Sequence, residues 1–196
     1  MRPEQKVLKA YHDGKTTTMY FNQLKRATGL SDSSLATTLK RLAQGGVLDK
    51  QAQKAVTTYT LTAKPAYFQD LDKERFRRLP REIRHPLQAF LEQAPKELHT
   101  IILFGSASRH EHTKKSDIDV LAITHRYPDD DLQKAYERYI HRRLEQATRH
   151  ADARSNHPID LFTTTERDLK EPDALTKQAL TAGFPIAGHQ RYYQLR

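Results

Sequence analysis

The sequence predicts an α+β protein of two domains, and three observations carry that expectation. The basic excess is concentrated at the front: residues 1–64 hold 11 Lys and Arg against 4 Asp and Glu, while the rest of the chain holds 22 against 20. Up to about residue 63 apolar residues recur at helical spacing and then alternate, whereas from Glu82 onward short apolar runs alternate with helix-patterned stretches. Between the two lies "KPAYFQDLDKERFRRLPREIR", charged and broken by prolines. These boundaries give a domain at 1–64, a linker or connecting helix at 65–84 and a second domain at 85–196.

Composition narrows the function classes. A chain of 196 residues that is 37% hydrophobic and 29% charged has enough apolar content for real cores and too much charge for a membrane protein. No apolar run approaches the roughly 18 residues needed to span a bilayer, and "MRPEQKVLKAYHDGK" lacks a signal-peptide core, so a cytoplasmic protein without membrane contact is expected. The absence of cysteine excludes disulfides, thiolate zinc sites and a cysteine nucleophile, so any metal is held by oxygen or histidine. The histidines show no ligand spacing.

In the first domain, Val7, Leu8 and Tyr11 mark one helix, and "FNQLKRATGL" marks a second that ends at Gly29. Ser31 or Asp32 caps a third, in which Leu35, Leu39 and Leu42 share a face until Gly45-Gly46. "VLDKQAQKAVTTYTLT" then reads as a two-stranded hairpin with a lysine-bearing middle. This order resembles a winged helix-turn-helix domain. The resemblance implies that the third helix enters the major groove of double-stranded DNA with Ser33, Ser34, Thr37, Thr38 and Arg41 outward. Lys40 and the wing residues Lys50 and Lys54, with Lys25 and Arg26, then contact phosphates. Modules of this kind also serve dimerisation and protein docking, and they are often two-fold dimers, so a homodimer is a second expectation. Arg75, Arg77, Arg78, Arg81 and Arg84 in the connecting segment either extend the basic surface or form a solvated helix face.

In the second domain, "PLQAFLEQA" reads as a helix, "LHTIILFGS" and "SDIDVLAIT" as strands, and "DLQKAYERYIHRRLEQATRH" as a long helix. "HPIDLFTTT" is a third strand, "DALTKQALTAG" a helix and "FPIAG" a short strand. The expected result is a small sheet with helices on one face. Asp117 and Asp119 point the same way from their strand, opposite to Ile118 and Val120. Two carboxylates side by side raise each other's pKa and require a proton, a cation or exposure at a strand end. A hard ion such as Mg²⁺ answers that need. Asp160 occupies the same point of another apolar strand. Gly105-Ser106, directly after "IILF", lets the backbone approach a phosphate and adds a hydroxyl and an amide donor.

Gly105-Ser106, ten residues, Asp117-Ile-Asp119, and Asp160 some forty residues on resemble the DNA polymerase β-like nucleotidyltransferase superfamily, most closely its minimal branch, over about residues 82–190. The resemblance implies that Gly105 and Ser106 hold the β- and γ-phosphates of a nucleoside triphosphate, ATP first among them, with Arg109 and Lys114 or Lys115 reaching the triphosphate. It implies two Mg²⁺ ions, with Mn²⁺ as a substitute, on Asp117, Asp119 and Asp160, and an acceptor hydroxyl activated near Asp160. His110 stands where relatives often carry glycine. The expected activity is transfer of a nucleoside monophosphate to a macromolecular acceptor, a protein or an RNA; several relatives belong to toxin-antitoxin pairs and modify a partner protein. The alternative is a DNA-binding transcriptional regulator whose second domain senses nucleotide or is inactive.

Overall fold

The computed structural model describes residues 1–53, 56–62 and 66–195. The chain divides into two compact units, Met1–Leu71 and Asp72–Arg196, which are described separately. None of the described helices is long and apolar enough to cross a membrane.

The first unit runs α1 (Pro3–Gly14), β1 (Thr18–Tyr20), α2 (Phe21–Thr28), α3 (Asp32–Gln44), β2 (Leu48–Gln53) and β3 (Val56–Leu61). Gly29, at φ 64°, ends α2. Ser31 rather than Asp32 caps α3, its hydroxyl accepting the Ser34 N–H, and Gly45 closes it. Val7, Tyr11, Leu24, Leu35, Leu39 and Tyr59 form the buried interior, where the Tyr11 hydroxyl donates to the Tyr59 carbonyl at 2.9 Å. β2 and β3 pair as an antiparallel hairpin. On the other side of β3 lies β1, a strand that the sequence reading lacked. Three residues are too few to register as an alternating pattern.

The second unit contains α5 (Arg81–Gln93), β4 (Thr100–Leu103), α6 (Gly105–Ser108), β5 (Ile118–Thr124), α7 (Asp130–Asp152), β6 (Ile159–Thr165), α8 (Ala174–Ala182), β7 (Phe184–Ala187) and α9 (His189–Gln194). The connecting segment folds as α4 (Tyr67–Arg77) and enters α5 at Arg81. Among the described residues the sheet order is β6-β5-β4-β7, with β4 antiparallel to both of its neighbours and β5 parallel to β6. The long α7 is the crossover that a parallel pair requires.

Both faces of this sheet are covered, which corrects the expectation of helices on one face. Ile101, Leu103, Ile118, Val120 and Ala122 pack with Ile83, Leu87 and Phe90 of α5 and Ile140, Leu144 and Ala147 of α7. The alternate residues Ile102, Leu121 and Ile123 pack with Ala179 of α8 and Tyr192 of α9. β5 is therefore buried almost throughout, so its apolar pattern runs continuous rather than alternating. Against that background the two aspartates at its start are the exception.

Candidate active site

The strand ends place the carboxylates. Asp117 immediately precedes β5, Asp119 is its second residue, and Asp160 is the second residue of β6. The parallel register sets Asp119 directly beside Asp160, as it sets Ile118 beside Ile159. By alternation all three carboxylates lie on the α8/α9 face while Ile118, Val120 and Ile159 enter the opposite core. Asp117 and Asp160 are exposed, and Asp119 is half-buried.

Gly105 fits against Asp119. The backbone leaves β4 through Phe104, whose N–H donates to the Asp119 carbonyl at 3.0 Å, and turns at Gly105 with φ 65°. A Cβ on Gly105 would lie 2.7 Å from Asp119 Cγ and closer still to Oδ2, so both the left-handed backbone and the missing side chain are required there. This contact is one source of the desolvation that raises the Asp119 pKa above its ordinary value of 3.8. The neighbouring charges of Asp160 and then Asp117 add to it, and Arg109 partly offsets it.

After Gly105 the chain makes the single turn α6. The Ser108 hydroxyl donates to the Gly105 carbonyl at 2.9 Å, and the Ser106 carbonyl accepts the N–H groups of Arg109 at 3.1 Å and Glu111 at 3.0 Å. The half-buried Ser106 thus follows Gly105 directly, with its carbonyl held by the turn. Arg109 is exposed and pairs with Glu111 at 2.6 Å, although its charge still reaches Asp119. His110 adopts φ 60°, the conformation glycine favours. Lys114 and Lys115 are exposed on the same loop. Arg75 belongs in sequence to the basic run of the connecting segment, yet it lies 4.2 Å over the Phe184 ring and donates to the Ser108 carbonyl at 2.8 Å. It therefore braces the turn, a role that a run of charges conceals.

The donor set suits a hard cation. Three carboxylates, two exposed and one raised by burial and then by the charges of the other two, lose their mutual repulsion when a divalent ion binds. Among the described residues no group of three His, Asp or Glu side chains is drawn together closely enough to hold a metal as it stands. A separate cluster lies beyond the opposite ends of the strands: buried His99 meets Glu166 at 3.0 Å, and His125 meets the same carboxylate at 3.4 Å.

On the first unit, Ser33, Thr37, Lys40 and Arg41 are exposed on α3, Ser34 is half-buried, and Lys50 is exposed on β2. Arg41 pairs with Glu4 at 2.8 Å, and Lys25 pairs with Asp32 at 2.8 Å. Thr38 does not face outward as expected: it is 2% exposed, and its hydroxyl donates to the Ser34 carbonyl at 2.7 Å. It shares the buried stripe of Leu35, Leu39 and Leu42, and satisfying its hydroxyl on its own helix lets a polar residue sit there. Lys54 lies outside the described residues.

Residues 87–180 match the family model of the nucleotidyltransferase domain, a span that takes in Gly105, Ser106, Asp117, Asp119 and Asp160. The C-terminal part of the chain thus carries a nucleotidyltransferase domain. None of the curated proteins matches the chain.

Proposed function

We propose that the protein is a divalent-metal-dependent nucleotidyltransferase that moves a nucleoside monophosphate from a nucleoside triphosphate, ATP first among the four, to a hydroxyl of a protein or RNA acceptor. The observation that carries this reading is the register pairing of Asp119 with Asp160 beside a glycine turn that only Gly105 fits. Asp117, Asp119 and Asp160 would hold Mg²⁺, or Mn²⁺ in its place. When bound, the ions neutralise charge on the phosphates and lower the pKa of an oxygen nucleophile.

The chain's own residues then act chiefly by position and charge. Gly105 and Ser106 cradle the β- and γ-phosphates, and Arg109, released from Glu111, joins Lys115 on the triphosphate. The acceptor oxygen forms its bond to the α-phosphorus as the bond to the β-phosphate oxygen breaks, so pyrophosphate leaves. Asp160, which is exposed at the strand entry, would help to take up the hydroxyl proton. The test is equilibrium binding of a non-hydrolysable triphosphate with Mg²⁺. Binding that needs the cation, and is lost in Asp117→Asn and Asp119→Asn, supports the reading; no cation-dependent binding of any nucleotide overturns it.

A second reading concerns the first unit, and the exposed Ser33, Thr37, Lys40 and Arg41 on one side of α3 favour it. The order of three helices followed by a hairpin supports a winged helix-turn-helix domain that binds double-stranded DNA. Such a module would bring the transferase to nucleic acid or act as a regulator in its own right. A salt-dependent shift of duplex DNA by the full chain supports it, and a failure to bind at low salt overturns it.

A further inference from the structure

The loop between α6 and β5 is held from below by two histidines to which the chemistry above gives no part. His157 is buried, and its Nδ1 lies 2.9 Å from the carbonyl oxygen of Ser116. A carbonyl only accepts, so Nδ1 is the nitrogen that carries the proton. The ring meets His112 edge-on, with centroids 6.2 Å apart and planes at 85°. His112 in turn donates from Nε2 to Glu82 of α5 at 3.0 Å.

Position makes this contact matter. Ser116 immediately precedes Asp117, and His157 stands three residues before Asp160. Close by, the Ile118 N–H donates to the Pro158 carbonyl at 2.9 Å, and the Ile159 N–H donates to Asp152 Oδ1 at 2.9 Å. The imidazole is therefore a side-chain tie between the entries of β5 and β6, the two backbones from which the three carboxylates project. The ladder fixes Asp119 against Asp160. Asp117 lies outside the ladder, and the His157–Ser116 bond restrains the residue next to it.

We propose that His157 is a positioning residue of the nucleotidyl-transfer site: by holding the Ser116 carbonyl it keeps Asp117 in register with Asp119 and Asp160 for cation binding. The inference rests on the reading of these aspartates as metal-binding. Groups that orient a metal ligand without touching the metal commonly change affinity or activity by tenfold or more when removed.

The experiment follows Mn²⁺ binding to the full chain by electron paramagnetic resonance with a non-hydrolysable triphosphate present, together with the kinetics of nucleotide transfer. It compares the wild type with His157→Ala, His157→Asn and His157→Gln. Expected for His157→Ala is Mn²⁺ binding weakened about tenfold. Its kcat is expected to fall by a similar factor at saturating cation, with KM for the triphosphate within about twofold of wild type. His157→Asn, whose Nδ2 can take the place of Nδ1, restores both quantities, while the longer His157→Gln does not. Hydrogen exchange at residues 116–118 rises in the Ala and Gln variants only. Should His157→Ala fail to fold, the Asn and Gln pair at matched Tm carries the comparison. Wild-type affinity and kcat in His157→Ala, or an Asn variant no better than Gln, overturns the proposal. A wild type that binds no Mn²⁺ overturns the reading of the site itself, and this inference with it.

Discussion

Asp119 of β5 and Asp160 of β6 are register partners in a parallel strand pair, so two carboxylates stand side by side on one face of the sheet. Such a pair is unfavourable in the folded chain unless something neutralises it, and that cost yields the first prediction.

Burial and the charges of Asp160 and Asp117 raise the Asp119 pKa. A carboxyl whose folded pKa is raised gives stability that is fully present below the unfolded value, 3.8, and is lost as pH rises through the folded value. Asp119→Asn, nearly isosteric, should therefore melt at a higher temperature than wild type at neutral pH without divalent cation. The gain should vanish below about pH 3.8. Adding Mg²⁺ should raise Tm for the wild type and not for the variant. A variant less stable than wild type at every pH would contradict the electrostatic account.

Gly105→Ala should be severe for two separable reasons. The left-handed backbone costs a residue with a Cβ about 1–2 kcal/mol, readable as a shifted midpoint in urea. The new methyl must also displace the Asp119 carboxylate, and a misplacement of about 1 Å in a reacting group costs on the order of 100-fold in rate. Activity should thus fall far more than stability. A variant with near-normal transfer would show that Gly105 is not pressed against the site.

Stability should decline as pH falls below 6.5. His99 is held below that value first by burial, with His125 and Arg191 adding to it and Glu166 opposing; His189 is lowered first by burial as well, with Lys73 adding to it and Asp72 opposing. For a depressed histidine the stability is present above the unfolded value and is lost as pH falls through the folded one, because the unfolded chain takes up the proton first. Replacing His99 by Gln should reduce the steepness of this acid limb in a pH series of thermal melts. An unchanged slope would remove His99 from the explanation.

Thr38 and the lysines of the first unit should separate cleanly. Thr38→Val removes a buried hydroxyl bonded to the Ser34 carbonyl and should shift stability by about 1 kcal/mol or less. It should leave DNA affinity unchanged. Lys40→Ala and Lys50→Ala should each lower the slope of log affinity against log salt by about 1. Loss of DNA binding in Thr38→Val alone would contradict the burial seen here.

The residues of the candidate site stood out in the chain because their signals are local. Two aspartates one residue apart in an otherwise apolar strand, and a glycine directly after another, survive any topology. The sequence set Asp160 at the same point of its strand as Asp119, but pairing between distant strands leaves no local trace, so their direct register comes from the sheet. Thr38 misled because residue type outweighed its place on the Leu35, Leu39 and Leu42 stripe. Arg75 misled because four other arginines surround it, although only it stacks on Phe184. The short elements β1 and α9 fell below the length at which periodicity speaks. His110 is the reverse case: nothing in its residue type marks a special backbone, yet it adopts the φ of 60° that glycine favours.

The most direct test is transfer of label from each of the four nucleoside triphosphates, labelled at the α- or the γ-phosphate, into the protein and RNA fractions of a cell extract. Wild type with Mg²⁺ is compared with Asp117→Asn and Asp119→Asn. The account predicts incorporation of α-label but not γ-label, matching release of pyrophosphate, and its loss by a factor of about 100 or more in either variant. Incorporation of γ-label, or α-label carried equally by wild type and both variants, would contradict it.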